Sequence, residues 1–370
     1  MRFPLRILHV IGRMDIGGAE TLIMNLHRKV DKSVIQFDFV ENTFDHCAYD
    51  DEIESLGGII HRCPHFNGNN YFQYKQWWTE FFKKHPEYRM VHGHLGSTAA
   101  IYLKIAKQAG CFTIAHSHNT NDYHSIKGIL YSVLSYKTRN IADCFFACSD
   151  QAGKDRFGSR VEFKVINNAI DTAAFKYDES VRRSVRKEFD IEEDVFLLGH
   201  VGRMMKQKNH HYLIKVFSQI KKRNPSLGIK LMLVGDGPLR KEIEAQVRSL
   251  SLTENVIFTG VRPDVDQLLQ AMDVFVMPSL YEGLPVSIVE AQTAGLPCVI
   301  SDGIPEDCMI TDLVHQISLS SGPDKWADYI LSLCGYNRTD KSEEVAAAGF
   351  DIANNASFMQ QFYMNHYYSE

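Results

Sequence analysis

The chain has 370 residues, of which 45% are hydrophobic and 23% are charged. This composition is that of a soluble globular protein, and the length suffices for about two domains, each with its own core. The net charge of −5 gives no reason to expect a nucleic-acid partner.

Strand-like and helix-like segments alternate along the whole chain, which predicts parallel sheets flanked by helices. Apolar and β-branched runs predict strands at residues 5–12, 35–40, 58–63, 90–94, 113–116, 144–147 and 164–167, and again at 196–201, 230–234, 256–258, 274–277 and 298–300. Helical periodicity predicts helices at residues 19–30, 212–221, 239–250, 265–272, 284–294 and 352–368.

This pattern predicts two doubly wound α/β domains. We expect an N-terminal domain over residues 1–172, a C-terminal domain over residues 173–350, and a last helix within residues 351–370 that packs back on the first domain. Residues 171–195 are charged and contain few apolar side chains, which predicts a linker.

The cysteines and the apolar runs indicate in which cellular compartment the protein is expected and whether it spans a membrane. The eight cysteines include no C-x-x-C pair, and most lie in apolar segments, so we expect buried, reduced thiols in a cytoplasmic protein. The first residues lead directly into a predicted strand without a signal peptide, and no apolar run reaches about 18 residues. We therefore expect that the chain does not span a membrane.

Two carboxylates lie eight positions apart where a strand gives way to a helix. Glu282 precedes the helix, and Glu290 lies roughly 10 Å along it. In open parallel sheets, ligands bind at the carboxyl ends of the strands, and a helix N-terminus favours an anion. The two acids are too far apart to share one reacting atom. They could hold the two ends of an extended ligand with an anionic middle, such as a sugar nucleotide; the alternative is that both are solvated surface charges.

Cations occur at the same predicted sheet edge. Arg203, Lys206 and Lys208 follow the strand that ends at Val201 and precede the next helix. Cations that converge on a helix N-terminus are typical of a diphosphate site, although a single surface cation is usually only solvated.

In the first half, Gly17 and Gly18 stand where a helix begins, and glycine there allows a ligand to approach the backbone closely. Two H-x-H pairs also end predicted strands. A metal site would need further ligands, so we favour core histidines or substrate contacts and expect no metal ion. The pairs are His92 with His94 and His116 with His118.

Taken together, these motifs resemble those of glycosyltransferase family 4, and the resemblance extends over nearly the whole chain. The motifs that carry it are Gly17-Gly18, Val201-Gly-Arg with Lys208, Gly235-Asp-Gly-Pro, and Pro278-Ser-x-x-Glu-Gly-Leu-Pro with Glu290. The resemblance implies the GT-B fold, with two Rossmann-like doubly wound α/β domains facing across a cleft. It further implies that the first domain binds the acceptor and the second binds a nucleotide-activated sugar.

The resemblance also implies roles for single residues. Arg203 and Lys208 would hold the diphosphate, Glu290 the ribose hydroxyls, and Glu282 the donor sugar, together with backbone N–H groups near Gly283 and Leu284. Gly17 and Gly18 would adjoin the donor, and His118 matches a cleft histidine near the reacting centre. Asn167-Asn-Ala-Ile-Asp resembles the interdomain Pro-Asn-Gly-Val-Asp of the family, with Asn167 in place of proline and Ala169 in place of glycine.

The resemblance implies transfer of a sugar with retention of its anomeric configuration and without a cofactor or metal. The simplest donor is a UDP-sugar. We favour front-face displacement, because no carboxylate is obviously placed as a nucleophile. Two segments, Ile11-Gly-Arg-Met-Asp-Ile-Gly-Gly-Ala-Glu and Ala115-His-Ser-His-Asn, most resemble bacterial exopolysaccharide or capsule enzymes, whose acceptors are usually polyprenyl-diphosphate-linked glycans. That implies peripheral contact with the inner leaflet, for which the aromatic and basic segment 71–89 is a candidate; an ordinary core-facing helix is the alternative.

Other functions on this fold remain open from the sequence. A sugar-nucleotide epimerase or a phosphorylase would share the Rossmann halves but not the spacing of Glu282 and Glu290. A catalytically inactive partner subunit would keep the fold and bind the donor or another chain. An NAD-dependent oxidoreductase is disfavoured, because the G-x-G-x-x-G fingerprint is absent.

Overall fold

The computed structural model describes residues 4–118 and 136–367. The chain forms two compact units. Unit 1 comprises Met1–Ala169 and Ile352–Glu370, and unit 2 comprises Ile170–Asp351. The chain thus leaves unit 1 once and returns to it with its last helix.

Unit 1 is built on a parallel sheet of seven strands in the order β3-β2-β1-β4-β5-β6-β7. The strands are β1 (Leu5–Ile11), β2 (Ile35–Glu41), β3 (Ile60–Arg62), β4 (Met90–Gly93), β5 (Phe112–Ser117), β6 (Cys144–Ala147) and β7 (Lys164–Val165). The order reverses between β1 and β4, and such a switch point at the carboxyl edge is where open sheets bind ligands.

Helices cover both faces of this sheet. Within the described ranges they are α1 (Gly18–Lys29), α2 (Asp50–Ser55), α3 (Tyr71–Lys84), α4 (Ala99–Gln108), α5 (Asp150–Phe157) and, near the end of the chain, α14 (Ile352–Tyr367). One core lies under α1 and α14, which contributes Met359 and Tyr363, and the other lies under α3 and α4. Both cores arise because buried strands present apolar side chains on both faces.

The aromatic face of α3 belongs to the core. Trp78 is fully buried, and Phe81 and Phe82 are each only 6% exposed. The core-facing alternative therefore holds for most of the segment that we considered for membrane contact, while Tyr71 and Phe72 at its start are exposed. Within the parts of the chain that the structure describes, no helix combines the length and apolar character needed to cross a bilayer.

Unit 2 has a parallel sheet of six strands in the order β10-β9-β8-β11-β12-β13. The strands are β8 (Phe196–Val201), β9 (Ile229–Val234), β10 (Val256–Gly260), β11 (Val274–Met277), β12 (Cys298–Ser301) and β13 (Val314–Ile317). The switch point lies between β8 and β11. The Arg203 loop follows β8 and the Glu282 loop follows β11, so the topology makes these two loops neighbours.

The helices of unit 2 are α6 (Thr172–Phe175), α7 (Glu179–Glu188), α8 (His210–Arg223), α9 (Arg240–Ser249), α10 (Val265–Ala271), α11 (Val286–Thr293), α12 (Gly322–Ser332) and α13 (Ser342–Val345). The expected linker over residues 171–195 is wrong for most of its length, because α6 and α7 lie there. The carboxylate of Asp178 caps α7 by accepting from the N–H groups of Ser180 and Val181. Val181 and Val185 pack against the unit 2 core.

Candidate functional site

A loop that carries cations follows β8. Arg203 is exposed and makes no ion pair with any residue that the structure describes. Lys208 ends a short 3₁₀ turn, Lys206–Lys208, directly before α8. Both cations therefore lie where β8 gives way to a helix, as the sequence predicts.

The turn after β9 packs against this loop through backbone contacts. The backbone N–H of Met204 donates to the carbonyl oxygen of Asp236 at 2.9 Å. Gly235 has a φ of +128°, and a Cβ there would lie 2.4 Å from the carbonyl oxygen of Gly202. The Gly-Asp-Gly-Pro motif is therefore explained by close backbone packing, since only glycine fits this position.

The loop after β11 meets the loop after β8 through an ion pair. Lys208 Nζ lies 2.8 Å from Glu282 Oε1, and the two side chains are only 15% and 7% exposed. Gln207 Nε2 donates to Glu282 Oε2 at 3.2 Å, and the backbone N–H of Leu280 donates to the carbonyl oxygen of Gln207 at 2.8 Å. The sequence separates the roles of Lys208 and Glu282, whereas the structure puts their charges in contact.

Backbone donors lie beside this pair. Helix α11 begins at Val286 with Pro285 as its N-cap and has no side-chain cap. Gly283 is exposed, and a Cβ there would meet nothing within 4 Å. The N–H groups of Gly283 and Leu284 make no hydrogen bond within the described parts of the chain. Uncapped N–H groups at a helix start favour an anion or a ligand oxygen.

Glu290 lies further along α11, apart from the ion pair. Its carboxylate forms no hydrogen bond with the residues described. Burial, and to a smaller extent the charge of Asp266, raises the pKa of Glu290 to about 7. Near neutral pH this carboxyl group is about half protonated. A ligand whose hydroxyl groups donate hydrogen bonds to it would stabilise its ionised form.

Replacement of Glu290 should weaken the binding of a nucleoside diphosphate. At pH 8 the carboxylate is ionised, and charge-assisted bonds from ribose hydroxyls contribute about 1.5 to 3 kcal/mol, so Glu290→Gln should lose about 10- to 150-fold in affinity. As pH falls through about 7, Glu290 takes up a proton that binding must release. The wild-type affinity should therefore drop about tenfold between pH 8 and pH 6.

Titration calorimetry with UDP at both pH values measures these effects. The ionisation of the phosphate contributes equally to both proteins, so only the difference between wild type and Glu290→Gln is informative. Equal affinities at pH 8 would remove Glu290 from the ribose site.

The remaining predicted site residues lie in unit 1. Gly17 is the N-cap of α1, and a Cβ there would lie 2.4 Å from Glu20 Oε2; Gly18 is exposed. His118 directly follows β5, and its Nε2 lies 2.7 Å from Nδ1 of His94. Burial lowers the pKa of His118 to about 3. Both places adjoin the carboxyl edge of the unit 1 sheet.

The structure thus brings together Arg203, Lys208, Glu282 and Gly283 at the unit 2 switch point, with Glu290 on the helix that follows. Sequence reasoning missed Gln207, which holds the Glu282 carboxylate. It also missed His9, whose Nδ1 lies 3.0 Å from Nε2 of His94. A lone glutamine in a loop and a lone histidine in an apolar strand give no signal of their own.

Two family models match the chain. Residues 181–347 match the model described as glycosyl transferases group 1, and residues 16–174 match the model described as glycosyltransferase family 4. EpsF of Bacillus subtilis (strain 168), which is named as a glycosyltransferase, is 35% identical over 370 residues, covering 97% of this chain and 96% of its own. An Escherichia coli UDP-Gal:alpha-D-GlcNAc-diphosphoundecaprenol alpha-1,3-galactosyltransferase is 26% identical over 238 residues, which is 61% of each chain.

Solved structures share the fold. HepE of Anabaena, in complex with UDP and glucose, superposes with a TM-score of 0.76 at 20% identity, covering 98% of this chain and 100% of its own. Sucrose-phosphate synthase of Thermosynechococcus elongatus gives a TM-score of 0.75 at 18% identity, covering 97% of this chain and 98% of its own. At such identities the likeness establishes the architecture of two Rossmann-like domains and nothing finer.

Proposed function

The chain belongs to glycosyltransferase family 4 and has the GT-B fold, and on that premise we propose that it moves a sugar from a nucleotide-sugar donor to a glycan acceptor in exopolysaccharide or capsule synthesis. The transfer retains the anomeric configuration, and the donor is a UDP-sugar. HepE in its complexes with UDP and with UDP-glucose supports this choice of donor, as does the name of the Escherichia coli relative.

One observation carries the proposal: the contact between Lys208 and Glu282 at the carboxyl edge of unit 2. A diphosphate placed at this edge would draw the Lys208 cation to itself, together with exposed Arg203. Glu282 would then be free to accept a hydrogen bond from a sugar hydroxyl, beside the N–H groups of Gly283 and Leu284. The ion pair thus keeps two ligand-binding charges in place before the donor arrives.

In this proposal the protein stabilises the departing diphosphate with cations and backbone N–H groups. Negative charge grows on the diphosphate as the glycosidic bond breaks, so Arg203 and Lys208 act most strongly in the transition state. The acceptor hydroxyl attacks from the face that the diphosphate leaves and passes its proton to the departing phosphate. His118 contacts the acceptor in this scheme.

A polyprenyl-diphosphate-linked glycan is the acceptor that we propose, bound at the inner leaflet of the membrane. The relative from Escherichia coli is named for such a lipid-linked acceptor. In unit 1, a cavity of about 620 Å³ opens near the carboxyl ends of β1 and β4, where Phe44, Phe66 and Leu95 line it together with Arg13. Phe44 is 72% exposed, so this cavity offers apolar surface to the lipid of the acceptor; the Arg13 cation there is already paired with Asp15 and Asp45.

Transfer should persist in excess EDTA, because Arg203 and Lys208 supply the positive charge at the leaving group that a divalent ion supplies elsewhere. The initial rate with and without chelator measures this directly. Loss of activity in EDTA, with recovery on addition of Mg²⁺ or Mn²⁺, would contradict the role given to the cations.

A donor screen tests the function as a whole. Thermal unfolding of the full chain is followed with UDP-, GDP- and ADP-sugars, and the donor that raises the midpoint is then incubated with lipid-linked acceptors. We expect stabilisation by a UDP-sugar and a glycosylated lipid product. If no nucleotide sugar stabilises the chain, the proposed function is wrong.

A further inference from the structure

Five histidines share one face of the unit 1 sheet. His9 lies on β1, His92 lies on β4 and His94 directly follows it, and His116 lies on β5 with His118 directly after it; His9 and His92 are register partners. Residues two apart on a strand point to the same face, and that face is covered by α1 and α14. The proposed transfer reaction uses only His118, so four imidazoles have no assigned role.

Three of these rings offer nitrogen atoms to a common point. One ring nitrogen from each of His94, His116 and His118 lies within 4.8 Å of one from each of the other two. His116 is 3% exposed, and its Nε2 has no hydrogen-bond partner among the residues described. His94 and His118 are partly exposed, so the cluster can be reached from the carboxyl edge of the sheet.

Two of the three rings, those of His94 and His116, are held on their opposite side by a surrounding network, whereas Nδ1 of His118 has no hydrogen-bond partner among the residues described. Nδ1 of His116 lies 3.2 Å from Nε2 of His92, whose own Nδ1 lies 2.7 Å from the hydroxyl of Tyr363. Nε2 of His94 lies 3.0 Å from Nδ1 of His9. If His94 donates from Nε2 to His9 and His116 donates from Nδ1 to His92, the other nitrogen of each ring carries a lone pair. These lone pairs, on His94 Nδ1 and His116 Nε2, are available to a ligand of the cluster. Histidines that bind metals are held in this way by outer hydrogen bonds that fix the tautomer.

We propose that His94, His116 and His118 form a site for a divalent transition-metal cation of the Zn²⁺ class, with a fourth position open to solvent or to an anion. Three neutral imidazoles suit Zn²⁺, Co²⁺ and Ni²⁺, whereas Mg²⁺ and Ca²⁺ prefer oxygen ligands. Tetrahedral ligands at about 2.1 Å lie about 3.4 Å apart, so the rings must draw closer. The partly exposed ring of His118, at the end of its strand, is the one with most freedom to turn.

Among the residues that the structure describes, two other clusters of potential ligands fit less well. His9, His92 and His94 also converge, but His9 and His92 are 0% and 1% exposed and leave an ion no access. Glu41, Cys47 and Asp50 converge around a cation that is already present, because the Arg62 guanidinium contacts both carboxylates.

Occupation of the site has a consequence that rests on the proposed function. A cation held by His118 removes that imidazole from the acceptor, so Zn²⁺ should inhibit transfer. Chelator should leave the metal-free enzyme fully active. The site therefore acts as an inhibitory metal site, separate from the leaving-group cations of unit 2.

Binding is tested on the full chain after treatment with chelator. Co²⁺ is titrated while its visible absorption is followed, and Zn²⁺ is then added as a competitor, with circular dichroism to confirm folding. We expect one Co²⁺ per chain with the intense bands of tetrahedral coordination, displaced by Zn²⁺. The variants His118→Asn and His94→Asn should bind at least 100-fold more weakly, whereas His46→Asn, which removes an exposed histidine, should bind like wild type.

Octahedral bands alone, or equal binding by His118→Asn and wild type, would overturn the proposal. If His94→Asn does not fold, His118→Asn decides the result, because His118 is partly exposed at the end of its strand. The outcome is independent of the proposed function. A chain that binds Co²⁺ as expected but transfers no sugar keeps the metal site and loses the transferase assignment.

Discussion

Arg203→Ala and Lys208→Ala should each lower kcat by about 10²- to 10³-fold, by analogy with the loss of one preorganised oxyanion donor. Both cations lie on the loop after β8, where the charge of the departing diphosphate would grow. An interaction that strengthens as the bond breaks lowers kcat as well as donor affinity when it is removed. Because both residues neutralise the same charge, the double mutant should lose less than the product of the two single effects.

Steady-state kinetics of both single mutants and the double mutant measure this, with circular dichroism to confirm folding. Lys206→Ala is the matched control, since Lys206 is an exposed cation of the same loop, and it should change kcat no more than about threefold, as is usual for an exposed charge. Lys208→Ala should also raise the donor KM, because the diphosphate loses one of its two cations. If both single mutants keep the wild-type kcat and raise only KM, the leaving-group role is wrong.

Asp273→Ala should destabilise unit 2 by about 3 to 5 kcal/mol, the usual cost of leaving a buried charge unpaired. Asp273 Oδ1 lies 2.7 Å from Arg182 Nη2, and its Oδ2 lies 3.4 Å from Arg186 Nη1 and accepts from the N–H of Leu197 at 2.7 Å. Arg186 is 1% exposed. Without Asp273, two largely buried guanidinium groups keep only carbonyl partners.

Equilibrium unfolding in urea measures this loss, and hydrogen exchange of β8 peptides assigns the transition to unit 2. Asp324→Ala is the control, because the pair of Asp324 with Arg223 is exposed, and it should cost at most about 1 kcal/mol. A loss for Asp273→Ala no larger than that for the control would show that Asp273 does not hold α7 to the sheet.

Much of the fold could be predicted from sequence, because buried parallel strands are continuous apolar runs. Strands β1, β8 and β11 begin and end within one residue of their predicted bounds. Strand β13 (Val314–Ile317) was missed because its inner residues are polar and it lies at the sheet edge. Helix α7 was missed because most of its residues are charged or polar and only two are apolar, which gives a weak helical pattern. The burial of Arg186 also depends on Asp273, which lies 87 residues away in the sequence.

The candidate site was predictable only in its parts. Strand ends and helix starts locate Arg203, Lys208, Glu282 and Glu290 from local patterns, since each pattern has a fixed chemical meaning. The contact between Lys208 and Glu282 spans 74 residues and depends on the adjacency of β8 and β11, which no local pattern specifies. The pKa of Glu290 depends likewise on burial and on Asp266 in another helix.

Hydrogen–deuterium exchange of the full chain with and without a UDP-sugar tests the central claim most directly. We predict that the donor slows exchange in peptides covering residues 202–209 and 280–290, where the two loops at the unit 2 switch point lie. Lys208→Ala should lose most of this protection at the same donor concentration. Saturating donor that protects neither loop, or that protects them equally in Lys208→Ala, would contradict the assignment of the donor site.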